Sequence, residues 1–183
     1  MKKGPRKPPL TVSLPNLIDN GSDNDFRTLV HGLLALGARL EAVRSGFGAL
    51  IGLSGIQYTI LISIAHLEPA GDVSVGKIAG HLHLSGAFVT VETGKLIKLG
   101  LLTKDVDPKD RRRVCLRVTP KGFDLLDSLA PTQRQVNDML FGPLAKEQFA
   151  GWGGAVNELV KTGDQAISLL EYLTRHERLS AAL

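Results

Sequence analysis

Residues 107–113 read Asp107, Pro108, Lys109, Asp110, Arg111, Arg112 and Arg113, a charged turn between two runs, 101–106 and 114–118, that alternate as strands do. Four cations in seven residues suit electrostatic contact with phosphate. The whole chain carries only +4 at pH 7, but its cations are concentrated. Residues 95–121 hold nine Lys/Arg against three Asp, a net of +6, and the first nine residues add four more cations. The remainder holds nine basic and 15 acidic side chains, a net of −6. A neutral-to-acidic body with one basic segment is the pattern of a protein that meets a polyanion on one face. Without a partner, the same run is a solvated charged hairpin.

Other reactive side chains lead nowhere comparable. No phosphate-cradling glycine loop, nucleophile elbow or catalytic carboxylate pair stands out, so neither an enzyme nor a cofactor is expected. His81 and His83 lie two residues apart near a helix end, where side chains diverge, and no metal site is expected there. A single cysteine, Cys115, excludes an internal disulfide framework and fits a reducing compartment. Apolar residues make up 43% and charged ones 22%, ordinary for a soluble globular chain. No uninterrupted apolar segment reaches the roughly 18 to 20 residues of a membrane span, so no membrane partner is expected. The lysine-rich start lacks the apolar core of a secretory signal, which makes the cytoplasm the expected location.

The elements that must carry the basic turn follow from periodicity and caps. Pro5, Pro8, Pro9 and Pro15 argue against an ordered helix over residues 1–24, although Leu10, Val12, Leu14, Leu17 and Ile18 could dock on a neighbouring surface. Asp25 is placed to cap a helix bearing Leu29, Leu33, Leu36, Leu40 and Val43, with Gly32, Ala35, Gly37 and Ala38 small enough for close helix approach. Residues 45–52 are glycine-rich and read as a loop or frayed helix end. Ser54 with Gln57 forms a capping box for a helix with Ile56, Ile60, Ile64 and Leu67 on one stripe, stopped at Pro69. Ser74 opens a shorter helix with Ile78, Ala79 and Leu82 inward. Ser85 opens a third with Val89, Leu96 and Ile97 inward, closed by Gly100 in a left-handed cap. In the second strand Val114, Leu116 and Val118 share one face, Cys115 and Arg117 the other. Thr119 and Pro120 start a long helix with Phe123, Leu126, Leu129 and Val136, which Pro131 should bend or interrupt. After a break at Phe141, Gly142 and Pro143, a last helix is expected over about 144–175, which Gly163 could split.

Two short helices joined by a tight turn, then a strand, a basic loop, a strand and a helix, are the order of a winged helix-turn-helix. The chain resembles the MarR family of winged-helix regulators. Four features carry the resemblance: the helix opening Leu53-Ser54-Gly55-Ile56-Gln57; the run Leu96-Ile97-Lys98-Leu99-Gly100-Leu101-Leu102; Asp110-Arg111-Arg112; and Val118-Thr119-Pro120-Lys121-Gly122. Together they span roughly residues 54–126. The resemblance implies a mainly α fold with a small β-hairpin wing, a DNA-binding lobe, and N- and C-terminal helical regions for dimerisation. Its expected parts are a flexible basic arm over 1–24, a dimerisation helix and loop over 25–52, the winged helix over 53–118 and C-terminal dimerisation helices over 119–183. It also implies a cytoplasmic homodimer on pseudo-palindromic double-stranded DNA, more often a repressor than an activator, released by a small aromatic or phenolic effector.

Carried onto this chain, the resemblance makes Asp110 and Arg112 the wing pair, with Arg112 reaching the minor groove or its phosphates and Asp110 bracing an arginine. Lys109, Arg111 and Arg113 become general phosphate contacts. On the Ser85 helix, Ser85, Ala87, Thr90, Val91 and Lys95 face the duplex. Here the chain departs from the family: Val91 stands where a basic residue aligns, so no arginine fork reads guanine from the first two turns. Thr90 can bond a base edge or phosphate, while Ala87, Phe88 or Val91 can meet thymine methyls. With a rotated helix, Phe88 and Val91 would instead be partly core. Some relatives sense peroxide through a cysteine near the first helix; Cys115 sits in a wing strand, where Arg113 and Arg117 could favour its thiolate. An effector cleft bordered by the first helices would offer His31, Arg39, Tyr58 and His66 to an anionic aromatic ligand. The competing reading is a winged-helix protein-interaction module that has lost base readout.

Overall fold

The computed structural model describes residues 8–106 and 114–180. Its contacts divide the chain into two units, Met1–Pro131 and Thr132–Leu183. In the first unit the elements run α1 (Asn24–Leu50), α2 (Gly55–Leu67), α3 (Val75–Leu82), α4 (Gly86–Lys98), β1 (Leu102–Val106) and β2 (Val114–Val118), followed by the start of α5 (Pro120–Phe141). The second unit holds the end of α5 and α6 (Lys146–Ser180). Among the described residues, no single helix is long and apolar enough to cross a membrane.

Helix starts behave as their cap residues dictate. The Ser54 hydroxyl accepts from the Gln57 amide while the Gln57 side chain accepts from the Ser54 amide, satisfying two orphan donors at the head of α2. Ser74 and Ser85 likewise cap α3 and α4, accepting from the Lys77 and Phe88 amides. His83, left-handed at φ 52°, turns the chain between those two helices. Behind the caps lies one core: Ile60, Leu61 and Ile64 of α2, Ile78 of α3, Val89 and Leu96 of α4, and Leu102 and Leu116 of the hairpin are essentially shut off from solvent. Each such side chain contributes about 1.5–3 kcal/mol over leaving it exposed.

Several expectations need correcting. The first helix begins at Asn24, and Asp23 rather than Asp25 stands at its cap position. Asp23 forms no capping bond. It holds Arg27 Nε at 2.9 Å and accepts from both the amide and hydroxyl of Thr11 at 2.8 Å. The Arg27 fork, seconded by the Thr11 amide, holds this carboxyl far below the usual carboxylate range. Arg27 also donates to the Pro9 carbonyl, so residues 8–23 are tied to the head of α1. Residues 45–50 are helix rather than loop, because α1 continues through Leu50, and the turn is confined to Ile51 and Gly52. Helix wins there because Phe47 is buried against Tyr58, ring centroids 5.6 Å apart, and because Gly48 lets the helix touch the next turn of chain. A Cβ on Gly48 would lie 2.8 Å from the Leu53 carbonyl oxygen. Within the single chain, a Cβ on Gly32 or Gly37 would meet nothing within 4 Å. Pro131 does not interrupt α5, and Gly163 does not split α6.

β1 and β2 pair antiparallel with Leu102 opposite Val118 and Val106 opposite Val114. The Leu116 amide donates to the Val73 carbonyl at 2.7 Å, adding a short third backbone rung from the segment before α3. Where the hairpin meets α5, the Thr119 hydroxyl donates to the Gly100 carbonyl at 2.7 Å and accepts from the Gly122 amide at 3.0 Å. Gly122 is forced by this closure: a Cβ there would sit 2.5 Å from the Leu101 oxygen and 2.7 Å from a Val118 methyl. Gly122→Ala is expected to lower stability by about 1–3 kcal/mol, as overpacking does, in a urea unfolding series. Unchanged stability would mean that the close approach is not held in solution.

Candidate nucleic-acid interface

The candidate surface consists of the outward side of α4 and the hairpin β1–β2. The rotation of α4 is set by its inner side. Val89 and Leu96 are fully buried, and Glu92 and Thr93 are buried with them, at the i, i+3, i+4, i+7 spacing of one helix face. Thr93 satisfies its hydroxyl on the Val89 carbonyl at 2.8 Å. Glu92 accepts from the Gln57 side-chain amide at 3.1 Å and from Lys95 Nζ at 2.7 Å. The Gln57 side chain therefore has two tasks, closing the capping box of α2 and anchoring α4. Lys95, seconded by Gln57, lowers the Glu92 carboxyl pKa against the opposing effect of burial.

With that side inward, Ala87, Phe88, Thr90, Val91 and Lys95 are exposed, as is the cap Ser85. Phe88 is 41% and Val91 56% exposed, so the reading that put them partly in the core does not hold. Two polar members are less open to a duplex than expected. Thr90 donates its hydroxyl to the Gly86 carbonyl at 2.8 Å, and Lys95 Nζ pairs with Glu92 at 2.7 Å. The sequence offered a signal for Glu92: its register with Val89 and Leu96 puts it inside, where a carboxylate needs partners.

In the hairpin, Arg117 faces the same side as Cys115 but is engaged elsewhere. Its guanidinium meets Asp105 at 3.1 Å, Glu68 at 3.4 Å and Asp72 at 3.7 Å. Glu68, with Asp105 and Asp72, raises the Arg117 pKa, and Glu68 also accepts from the Val118 amide. Arg117 is thus a brace at the wing base. The wing residues Lys109, Asp110, Arg111, Arg112 and Arg113 lie outside the described residues. Lys121 Nζ is used internally, on the Leu99 carbonyl at 2.8 Å.

The expected effector residues are placed separately. Tyr58 is buried against Phe47, whereas His31 and Arg39 are exposed on α1, Arg39 bonding its own helix at Ala35. His66 lines an open depression of about 500 Å³ with Ile62, Ser63, Ala65 and His81. Among the described residues, no three metal-ligating side chains come together.

This arrangement is a winged helix-turn-helix. Residues 51–113 match the family model described as the MarR family. Over 97 residues the chain is 27% identical to the HTH-type transcriptional regulator MhqR of Bacillus subtilis (strain 168), a match covering 53% of this chain and 65% of that relative. A MarR/EmrR family transcriptional regulator from Acinetobacter sp. ADP1 superposes with a TM-score of 0.66 at 19% identity, covering 78% of this chain and 99% of its own. A MarR protein from Peptoclostridium difficile DA00132 gives 0.62 at 17% identity, covering 81% and 93%. A cysteine-to-serine mutant of MarR from E. coli, complexed with operator DNA, gives 0.61 at 14% identity, covering 74% and 96%. At these identities the structural likeness speaks for the fold. Through its winged-helix segment, residues 51–113, the chain is similar to the MarR family, and it spans less than two thirds of the length of the curated relative it matches.

The buried carboxylate yields a pH signature. Glu92 has a depressed pKa when folded, so its stabilisation is present above the unfolded value of about 4.3 and lost as pH falls through the folded one. Glu92→Gln is expected to cost about 1 kcal/mol at pH 7, a modest figure because Lys95 is half-exposed. The gap to wild type should narrow in chemical denaturation as pH is lowered progressively below the ordinary carboxylate range. A gap that persists in acid would assign the loss to shape rather than charge.

Proposed function

We propose that this chain is a homodimeric transcriptional regulator, acting as a repressor, that grips double-stranded DNA with α4 and the wing. The observation that carries this reading is a winged helix whose α4 presents an unburied face beside a hairpin flanking four cations in seven residues. The operator-bound MarR relative supports the same use of this fold. Phosphate contact then supplies most of the affinity, because the exposed face of α4 is poor in hydrogen-bond donors. Fluorescence anisotropy on promoter duplexes from beside its own coding region, at several salt concentrations, tests this. Arg112→Ala is expected to weaken binding about tenfold or more and to lower the salt slope by about 1. Salt-independent or undetectable binding by the wild type would favour the protein-interaction reading, which the exposed Phe88 and Val91 otherwise motivate.

Dimerisation draws its support from α6. Phe149, Trp152, Val156, Leu159, Val160, Ile167, Leu170 and Leu173 recur at three- and four-residue spacing, and all are 39% or more exposed in the single chain. An apolar stripe of that length on a soluble helix calls for a cover, and a second copy of the chain supplies one. In this reading residues 25–52 and 119–183 build the dimer and residues 53–118 the DNA-binding lobe. Sedimentation equilibrium should give a dimer at micromolar concentration, and Leu159→Glu with Leu170→Glu a monomer that stays helical by circular dichroism. A monomeric wild type would refute it. Release by a small anionic aromatic ligand belongs to the same proposal, with the depression lined by His66 and His81 as its candidate recess.

A further inference from the structure

We infer that the outward face of α4 selects its site by packing Ala87, Phe88 and Val91 against thymine methyl groups in the major groove. This rests on the DNA-binding reading above and adds which bases are preferred. Three observations converge. Ala87, Phe88 and Val91 stand within four residues of one another, with Val91 at i+4 from Ala87 and i+3 from Phe88, so they form one contiguous apolar patch on the first two turns. All three are exposed although Val89, between them in sequence, is fully buried; the helix is seated firmly and this patch is what it turns outward. The polar groups around the patch are committed within the fold. Thr90 gives its proton to the Gly86 carbonyl, and Lys95 pairs with a buried carboxylate.

The first two turns of α4, without arginine, lysine, asparagine or glutamine, cannot form the bidentate bonds that identify guanine or adenine. The major groove nevertheless offers one apolar mark, the C5 methyl of thymine, and it is absent from the other three bases. An alanine, a phenylalanine and a valine match that mark in size and polarity. The four cations that the sequence carries at residues 109–113, together with the exposed Lys98 and Lys104, supply the charge complementarity that brings the patch to a duplex rather than to another protein. Removing one buried methyl costs about fourfold in affinity, so a site meeting two of them loses more than about tenfold.

The test uses the full chain and uracil, which pairs as thymine does but lacks the methyl. Sequences enriched from a random duplex pool are resynthesised with thymine or with uracil at the same positions. The expected result is enrichment of T/A steps and at least an about fourfold loss on uracil duplexes, abolished when uracil is confined to the flanks. Phe88→Ala combined with Val91→Ala, an exposed pair whose replacement leaves the core intact, should narrow the preference for thymine over uracil to what Ala87 alone supplies. Equal affinity of the wild type for both duplexes overturns methyl reading while leaving DNA binding in place. Failure to enrich any duplex overturns the DNA-binding reading as well, and this inference with it.

Discussion

The seating of α4 against α2 decides what the protein can present to a partner. Val89 and Leu96 anchor one face of the helix in the core, and Glu92 fixes its rotation through the Gln57 amide. Gln57 is itself held by the cap of α2, so the orientation of α4 is tied to the first turn of another helix 35 residues away. A buried carboxylate is costly unless its oxygens are bonded, and here both are, one by Gln57 and one by Lys95. Rotating α4 by even one residue would strand that carboxylate and expose Val89. The outward face is therefore an outcome of the core.

The same logic separates structural charge from charge that can meet a partner. Residues 95–121 carry a net of +6, yet much of it is used within the fold. Lys95 serves Glu92, Arg117 is ringed by Glu68, Asp105 and Asp72, and Lys121 bonds the Leu99 carbonyl. Among the described cations of this segment, Lys98 and Lys104 are exposed and take no part in these bonds. Arg117 stiffens the base of the hairpin, and Thr119 with Gly122 locks that base to α5.

Much of this architecture is legible in the sequence because it is written locally. The three serine caps, the Thr119–Pro120 start, the left-handed Gly100 and the strand alternation each depend on residues within four positions of one another. What escapes is non-local. Nothing near Glu68 announces that its carboxylate will meet Arg117, 49 residues on, and nothing near Asp23 announces Thr11. Residues 45–50 look like a loop by glycine content, yet tertiary packing of Phe47 and Gly48 makes them helix. Pro131 fails to break α5, so a local rule is overridden there. On the site, the identities of the exposed α4 residues follow from periodicity, but the internal commitments of Thr90 and Lys95 need the fold.

The central claim is that α4 faces a duplex with Phe88 and Val91 foremost. Intermolecular nuclear Overhauser effects from the Val91 methyls and the Phe88 ring, recorded on the chain saturated with its best duplex, test it most directly. Cross-peaks to base protons of the major groove, thymine methyls among them, are the expected result. A saturated complex in which those side chains show no contact with the duplex would contradict it.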